Sequence, residues 1–326
     1  MKLGRWLLLT LSLTASGFAA AATPPPPEVT HLVYAAPTTV AAALAYIAMD
    51  KGFFKEQGLD VEAKMFPSGR EALQMLLAGQ AQLQSVSETP MVHAIIQGND
   101  LVTVASIAEH HEAGVLARKD HGISKPADLL GKKVATLPGT NSDYFMYKFF
   151  EKYKIPLDQV KIANMSPPDM IVSLTKGDID AYFAWEPHLY FGKRELGDKA
   201  VAFPPEELYN GFNTFNMQSE FARKNPNTVR AVMRGLLASE AWTRSHPDEA
   251  AGLVARRLNM DPKVVRDLMK AVVYKIELPK RLLTVENSEG RWALDQKGLS
   301  KDPLPDFRAH IFDGPLRQEK RSVVGL

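Results

Sequence analysis

Three short stretches carry side chains able to hold a ligand. The first, "KGDIDAYFAWEP" (Lys176–Pro187), runs from a helix-ending glycine through an apolar strand and delivers Trp185 and Glu186 at the strand's carboxyl end. An indole there can stack on a ligand, and a carboxylate can accept from an amine, hydroxyl or backbone donor; equally, Trp185 can fill core and Glu186 can cap the helix that Pro187 begins. The second, "ATLPGTNSDYF" (Ala135–Phe145), sets Gly139, Thr140, Asn141 and Ser142 between a strand and a helix. Free N–H groups at a helix start, together with hydroxyls, suit a sulfonate, carboxylate or other oxyanion, beside an ordinary cap made by Thr140 and Asp143. "FPSGREAL" (Phe66–Leu73) has the same strand, Ser-Gly, helix form, with Arg70 expected to face solvent.

The third stretch, "SIAEHHEAG" (Ser106–Gly114), concentrates Glu109, His110, His111 and Glu112. Neighbours on an extended segment point to opposite sides, so Glu109 and His111 share one side while His110 and Glu112 share the other. All four cannot chelate one ion, and the paired spacing of a helix-borne zinc site is missing. The expectation is a polar crossing at the mouth of a cleft, with His110 or His111 touching ligand and no metal bound. Enzyme signatures fail elsewhere. There is no cysteine, no G-x-S-x-G, no P-loop and no G-x-G-x-x-G, and the S-x-x-K match at Ser173 and Lys176 lacks companion motifs. The aromatic run Tyr144, Phe145, Tyr147 and Phe149 reads as helix core.

The elements that must position these residues follow a simple rhythm. "HLVYAA", "VAAALAYIAMDKGFF", "LDVEAKMF", "GREALQMLLAGQ" and "AQLQSVS" alternate strand with helix, and the alternation resumes after residue 130 through "KKVATL", "SDYFMYKFFEKYK", "VKIANMS", "DMIVSLTKG" and "AYFAWE". That rhythm predicts two α/β units with mostly parallel sheets. Between them, "VTVASIAE" and "AGVLARK" look like a chain crossing from one lobe to the other. Helices dominate beyond Ser219, and the last forty residues show no clear period. "LLAGQAQLQSVSE" and "SLTKGDIDAYFAWE" each reach a glutamate, Glu88 and Glu186, nine residues after a glycine; if the echo is real, both stand at strand carboxyl ends, where open sheets bind ligands.

Bulk properties narrow the function. Lys2 and Arg5, an apolar run from Trp6 to Leu13 and small residues from Ala19 to Ala22 form an expected signal peptide over residues 1–22, followed by an extended linker over 23–30. The mature chain is expected to be exported and periplasmic, with no cysteine to carry a disulfide or a lipid. Removing residues 1–22 from 326 leaves 304, room for two domains. The whole chain carries 39 basic and 37 acidic side chains, and losing Lys2 and Arg5 evens them, so no electrostatic argument favours nucleic acid.

The order of "PTTVAAALAYIAMDKGFFKEQGLDVE", "GREALQMLLAGQAQLQSVSETP", "LLGKKVATLPGTNSD", "KGDIDAYFAWEPH" and "FARKNPNTVRAVMRGLLASEAW" resembles the soluble solute-binding proteins of ABC importers in the nitrate, sulfonate and taurine group. The resemblance implies a two-lobe, type II periplasmic-binding-protein fold hinged on two crossing strands, near Ile107–Leu116 and Asn213–Gln218. Lobe one would comprise residues 31–109 and 217–326, and lobe two 110–216. It implies a cleft lined by Pro37 to Thr39, including Thr38, by Ser87, Glu88 and Thr89, by Gly139 to Ser142, and by Trp185 and Glu186. The implied function is non-enzymatic and cofactor-free: a monomer that passes a sulfonate or taurine-like solute to an inner-membrane permease. "EHHE" departs from the family's expected small residues, which keeps open a heterocyclic amine such as a thiamine pyrimidine precursor, or a metal-dependent pyrimidine-making enzyme of related fold.

Overall fold

The computed structural model describes residues 24–203, 208–299 and 301–326. The expected signal peptide lies outside them. The linker is more than a spacer at its end, because the Glu28 carboxylate accepts from the N–H groups of Asn227 (3.0 Å) and Thr228 (2.7 Å) at the start of the helix Pro226–Ser245.

The strands are β1 (His31–Pro37), β2 (Asp60–Phe66), β3 (Leu83–Ser87), β4 (Leu101–His110), β5 (Ala113–Arg118), β6 (Lys133–Thr136), β7 (Lys161–Asn164), β8 (Ala181–Trp185), β9 (Ala200–Phe203), β10 (Gly211–Gln218) and β11 (Val272–Glu277). They form two sheets, ordered β11-β4-β10-β3-β1-β2 and β7-β6-β8-β5-β9. Each sheet is covered by helices, giving the two-lobed α/β architecture.

The sheets are mixed where the sequence rhythm predicts mostly parallel ones. β1 pairs in parallel with β2 and β3, but β10 lies antiparallel between β3 and β4. β5 likewise runs antiparallel to β8 and β9. The cause is the crossing itself: a strand that arrives from the other lobe enters without the helical crossover that a parallel neighbour requires.

β4 ends in the first sheet at His110 and β5 begins in the second at Ala113, so His111 and Glu112 form the first crossing. β9 ends in the second sheet at Phe203 and β10 belongs to the first sheet from Gly211. Asn213–Gln218, expected at the hinge, is thus a central strand of the first sheet. The second crossing precedes it.

Two features of the C-terminal region carry weak sequence signals. β11 extends the first sheet beside β4, and the helix Lys280–Gln296 packs on the helix Glu88–Ile96. Gly290 sits in that helix where a Cβ would come within 2.8 Å of the Phe307 ring. The close approach needs glycine, while the sequence reads it as a helix breaker. The aromatic run of the second lobe is core: Phe145 and Phe149 are buried, and Phe149 meets Phe183 edge-on at 5.4 Å.

Candidate ligand-binding site

The lobes face each other across a cleft with about 340 Å³ of empty space. Chain turns from both lobes end there in helix starts. Thr39 follows β1, and its hydroxyl accepts from Ala41 N at 3.2 Å as a short 3-10 turn opens. Ser68 follows β2 and caps the helix Gly69–Leu77 by accepting from Glu71 N at 3.2 Å. Ser87 ends β3 at the start of the helix Glu88–Ile96, and Thr140 precedes the helix Asn141–Tyr153. The first N–H groups of a helix have no carbonyl four residues back, so these starts concentrate donors and positive dipole ends on one space.

Pro37, Thr39, Gly69, Arg70, Ser87 and Asn213 line the first-lobe wall. Thr140, Asn141 and Trp185 line the second-lobe wall, and Glu112 comes from the crossing between them. The lobes are bridged by direct bonds. Arg70 Nη1 donates to Pro138 O at 2.7 Å, and His188 Nε2 donates to Pro67 O at 3.3 Å. Thr39 Oγ1 donates to the Glu112 carboxylate at 3.2 Å, and Tyr144 and Ser288 join their hydroxyls at 2.8 Å. The cleft is therefore closed.

Of the expected residues, Pro37, Thr39, Ser87, Thr140, Asn141 and Trp185 reach this space. Trp185 is buried to 6% exposure, its ring edge-on to His188 at 5.4 Å. The other eight turn elsewhere. Thr38 donates from its hydroxyl to Phe66 O at 2.9 Å, and its neighbour Thr39 faces the cleft in its place. Glu88 and Thr89 point back into the lobe, where Glu88 accepts from the Tyr209 hydroxyl and from Phe212 N at 2.8 Å, and Thr89 donates to Glu289 at 2.8 Å. Burial pushes the Glu88 carboxyl up against those bonds. The pair holds β10 to the helix Lys280–Gln296, and neither side chain lines the cleft.

Gly139 has φ +70° and spends its N–H on Asp143 Oδ2 at 2.8 Å, while Ser142 is fully buried with its hydroxyl 3.0 Å from that of Thr140. The nest thus presents fewer donors than its sequence offers. Glu186 takes the capping role, accepting from Tyr190 N at 2.9 Å, because consecutive residues at the end of β8 face opposite ways. Burial pushes its carboxyl up to about 7. His111 lines a separate opening behind the hinge.

His110 is buried, and its Nδ1 lies 3.9 Å from the Glu112 carboxylate; burial pushes its pKa down to about 3, so the ring is neutral. Glu109 pairs with Arg281 at 2.7 Å on the other side. The alternation read from "EHHE" therefore places His110 with Glu112. Among the described residues, no three His, Asp or Glu side chains come together in a way that could hold a metal ion.

Glu112, Asn213 and Arg70 line the cleft without the sequence reading having assigned them to it: Glu112 was placed on the crossing, Asn213 at the hinge, and Arg70 at the solvent, where its side chain is indeed exposed. Burial pushes the Glu112 carboxyl up to about 8, with the nearby Glu186 charge adding to the rise and the Thr39 hydroxyl working against it. Asn213 is 1% exposed with its amide oxygen unpartnered. A signal for Asn213 was available: "GFNTFNMQ" interleaves Asn213, Thr214 and Asn216 with Phe212, Phe215 and Met217, and buried polar side chains need partners. The cleft can therefore take an anionic group at the helix starts and a donor, such as an ammonium, at Glu112 and Asn213.

The family described as NMT1/THI5 like matches residues 40–250, more than half of the chain. The chain is 27% identical over 231 residues to the putative aliphatic sulfonates-binding protein of Bacillus subtilis (strain 168), covering 69% of each chain. It is 28% identical over 225 residues to the taurine-binding periplasmic protein of Escherichia coli (strain K12), covering 68% of this chain and 67% of that one. The solved structure of the alkanesulfonate-binding protein SsuA from Xanthomonas axonopodis pv. citri, bound to MOPS, aligns with a TM-score of 0.74 at 18% identity, covering 88% of this chain and 99% of that chain. That likeness shows the fold, and the relatives matched are binding proteins rather than enzymes. With a two-lobed fold, a closed interlobe cleft and these matches together, the chain belongs to the NMT1/THI5-like family, on its solute-binding side.

Proposed function

We propose that the protein is a periplasmic solute receptor of an ABC importer and that its solute is a small aminosulfonate of the taurine type. The observation that carries this reading is an interlobe cleft in which helix starts from both lobes meet one buried carboxyl group, Glu112. The sulfonate lies on the N–H groups at Gly69 and Asn141 and beside the Thr39 hydroxyl. The ammonium donates to Glu112 and to the free oxygen of Asn213, and the two-carbon body rests against Trp185. An ammonium there also stabilises the ionised form of Glu112, which burial alone disfavours. The relatives named for sulfonates and taurine support the anionic half of the solute. Closure around the solute would shift the population toward the form that a permease recognises.

Titration calorimetry of the chain from residue 24 with taurine, ethanesulfonate, nitrate and a 4-aminopyrimidine tests the reading. Taurine should bind, and ethanesulfonate should bind more weakly because it leaves Glu112 unpaired. Tight binding of the pyrimidine with none of taurine would replace the aminosulfonate by a heterocyclic amine.

A further inference from the structure

A second opening lies behind the hinge. It is roomier than the cleft and is walled by both lobes. The crossing and β5 form one side, the helix His188–Leu196 of the second lobe another, and Leu268 and Ala271 of the first lobe a third. Val115, Leu116, Leu189, Tyr190, Phe203 and Leu268 make its surface apolar. Its polar lining comprises the acids Glu112, Glu186 and Asp267 together with His111 and Lys193.

Glu186 commits one oxygen to Tyr190 N, and Glu112 forms the partition shared with the cleft. The Glu186 charge raises the pKa of Glu112, which sets the two carboxyls within electrostatic reach of each other. Asp267 at the rim is paired with Lys270 at 2.6 Å, and Lys193 lines the opening from an exposed position. Two carboxyls held against apolar walls are poorly solvated, and a cation brought in by a ligand offsets that cost. An anion would meet the Glu112 and Glu186 carboxyls as repulsion, offset only in part by the exposed Lys193, whereas an ammonium adds to the cationic field that Lys193 already supplies to Glu186.

The geometry points to this hinge pocket as a second ligand site, separate from the cleft, for a hydrophobic primary amine whose ammonium donates to Glu186 and whose aryl or alkyl body covers the apolar floor. The pocket's separation from the cleft rests on the crossing strand that runs between them. The site goes beyond the transported solute, since the small cleft and the large hinge pocket differ in size and in polarity.

Calorimetric titration with phenethylamine at mildly alkaline pH tests the site, with 3-phenylpropionate as the anion of matching body. Saturable binding of the amine and none of the acid is expected. Leu189→Trp, which fills the pocket, and Glu186→Gln, which removes the charge at constant shape, should each weaken the amine by about tenfold or more. Asn141→Leu, in the cleft, should leave it within about twofold. Circular dichroism melts of the three variants establish that each is folded. Absence of saturable binding overturns the proposal, as does equal binding of amine and acid. Loss of the amine in Asn141→Leu with retention in Leu189→Trp also overturns it, because the amine would then occupy the cleft.

Discussion

Glu112 has two opposed roles, and substitution separates them. Its carboxyl is buried beside the Thr39 hydroxyl, the unprotonated ring of His110 and the like-charged Glu186, so it costs stability when ionised and, on the proposed reading, supplies specificity when a solute brings an ammonium. Glu112→Gln should weaken taurine by about tenfold or more while changing ethanesulfonate little, read by calorimetry. The pH dependence of folding has a definite sign. A carboxyl raised from its ordinary 4.5 to about 8 keeps its proton in the folded chain after the unfolded chain has lost it, so its stabilising contribution is whole below about pH 4.5 and lost as pH rises toward 8. Glu186, raised to about 7, acts in the same direction. The Glu112→Gln chain should thus melt higher than the parent at pH 8, by at least about 1 kcal/mol, and equal it near pH 4. Calorimetric melts at the two pH values decide.

At the level of elements, the site depends on how helices begin and how closely they pack. Trp185 reaches the cleft because β8 ends there, and one further residue along the strand Glu186 already faces away to cap the next helix. Glycine at Gly290 fixes the approach of the helix Lys280–Gln296 to Phe307. Gly290→Ala trades a helix-propensity gain for a clash with a buried ring, and the ring cannot retreat from its packed surroundings. We expect a net loss of about 1–3 kcal/mol in chemical denaturation, with taurine affinity kept. Neither β11 nor this helix was marked by an obvious period in the sequence. Gly290 interrupts the helix where only a long-range contact explains it.

Across the whole molecule, closure is held by bonds that only a folded chain can make. Arg70 crosses the cleft to Pro138 O, and its exposed guanidinium can exchange that bond for water. Arg70→Ala should shift the population toward the open form and weaken the solute several-fold, since affinity scales with the fraction of closed chain. Small-angle scattering should show a larger radius for the variant without solute and the parent's radius at saturation. An unchanged radius and affinity would count against Arg70 as a latch.

The sequence by itself determined the alternation of strand and helix, the two-lobed class, the helix starts at Ser68 and Thr140, and the opposed sides of His110 and Glu109. Each is set by local rules: period, the side-chain cap at Ser68 and the two faces of an extended strand. The helix after Thr140 begins where expected, but the Thr140 hydroxyl bonds back to Leu137 O and the expected cap with Asp143 is not made. The tertiary structure decided which of those residues line the cleft. Glu88 looks equivalent to Glu186 in sequence, yet Tyr209 and Phe212, more than a hundred residues away, claim its carboxylate. Asn213 looks like hinge and is floor of the cleft, because β10 inserts between β3 and β4. Which face of the crossing closes on the solute, and therefore the role of Glu112, follows from two lobes packing together. No local pattern records that arrangement, because the contacts that create it join segments far apart in the chain.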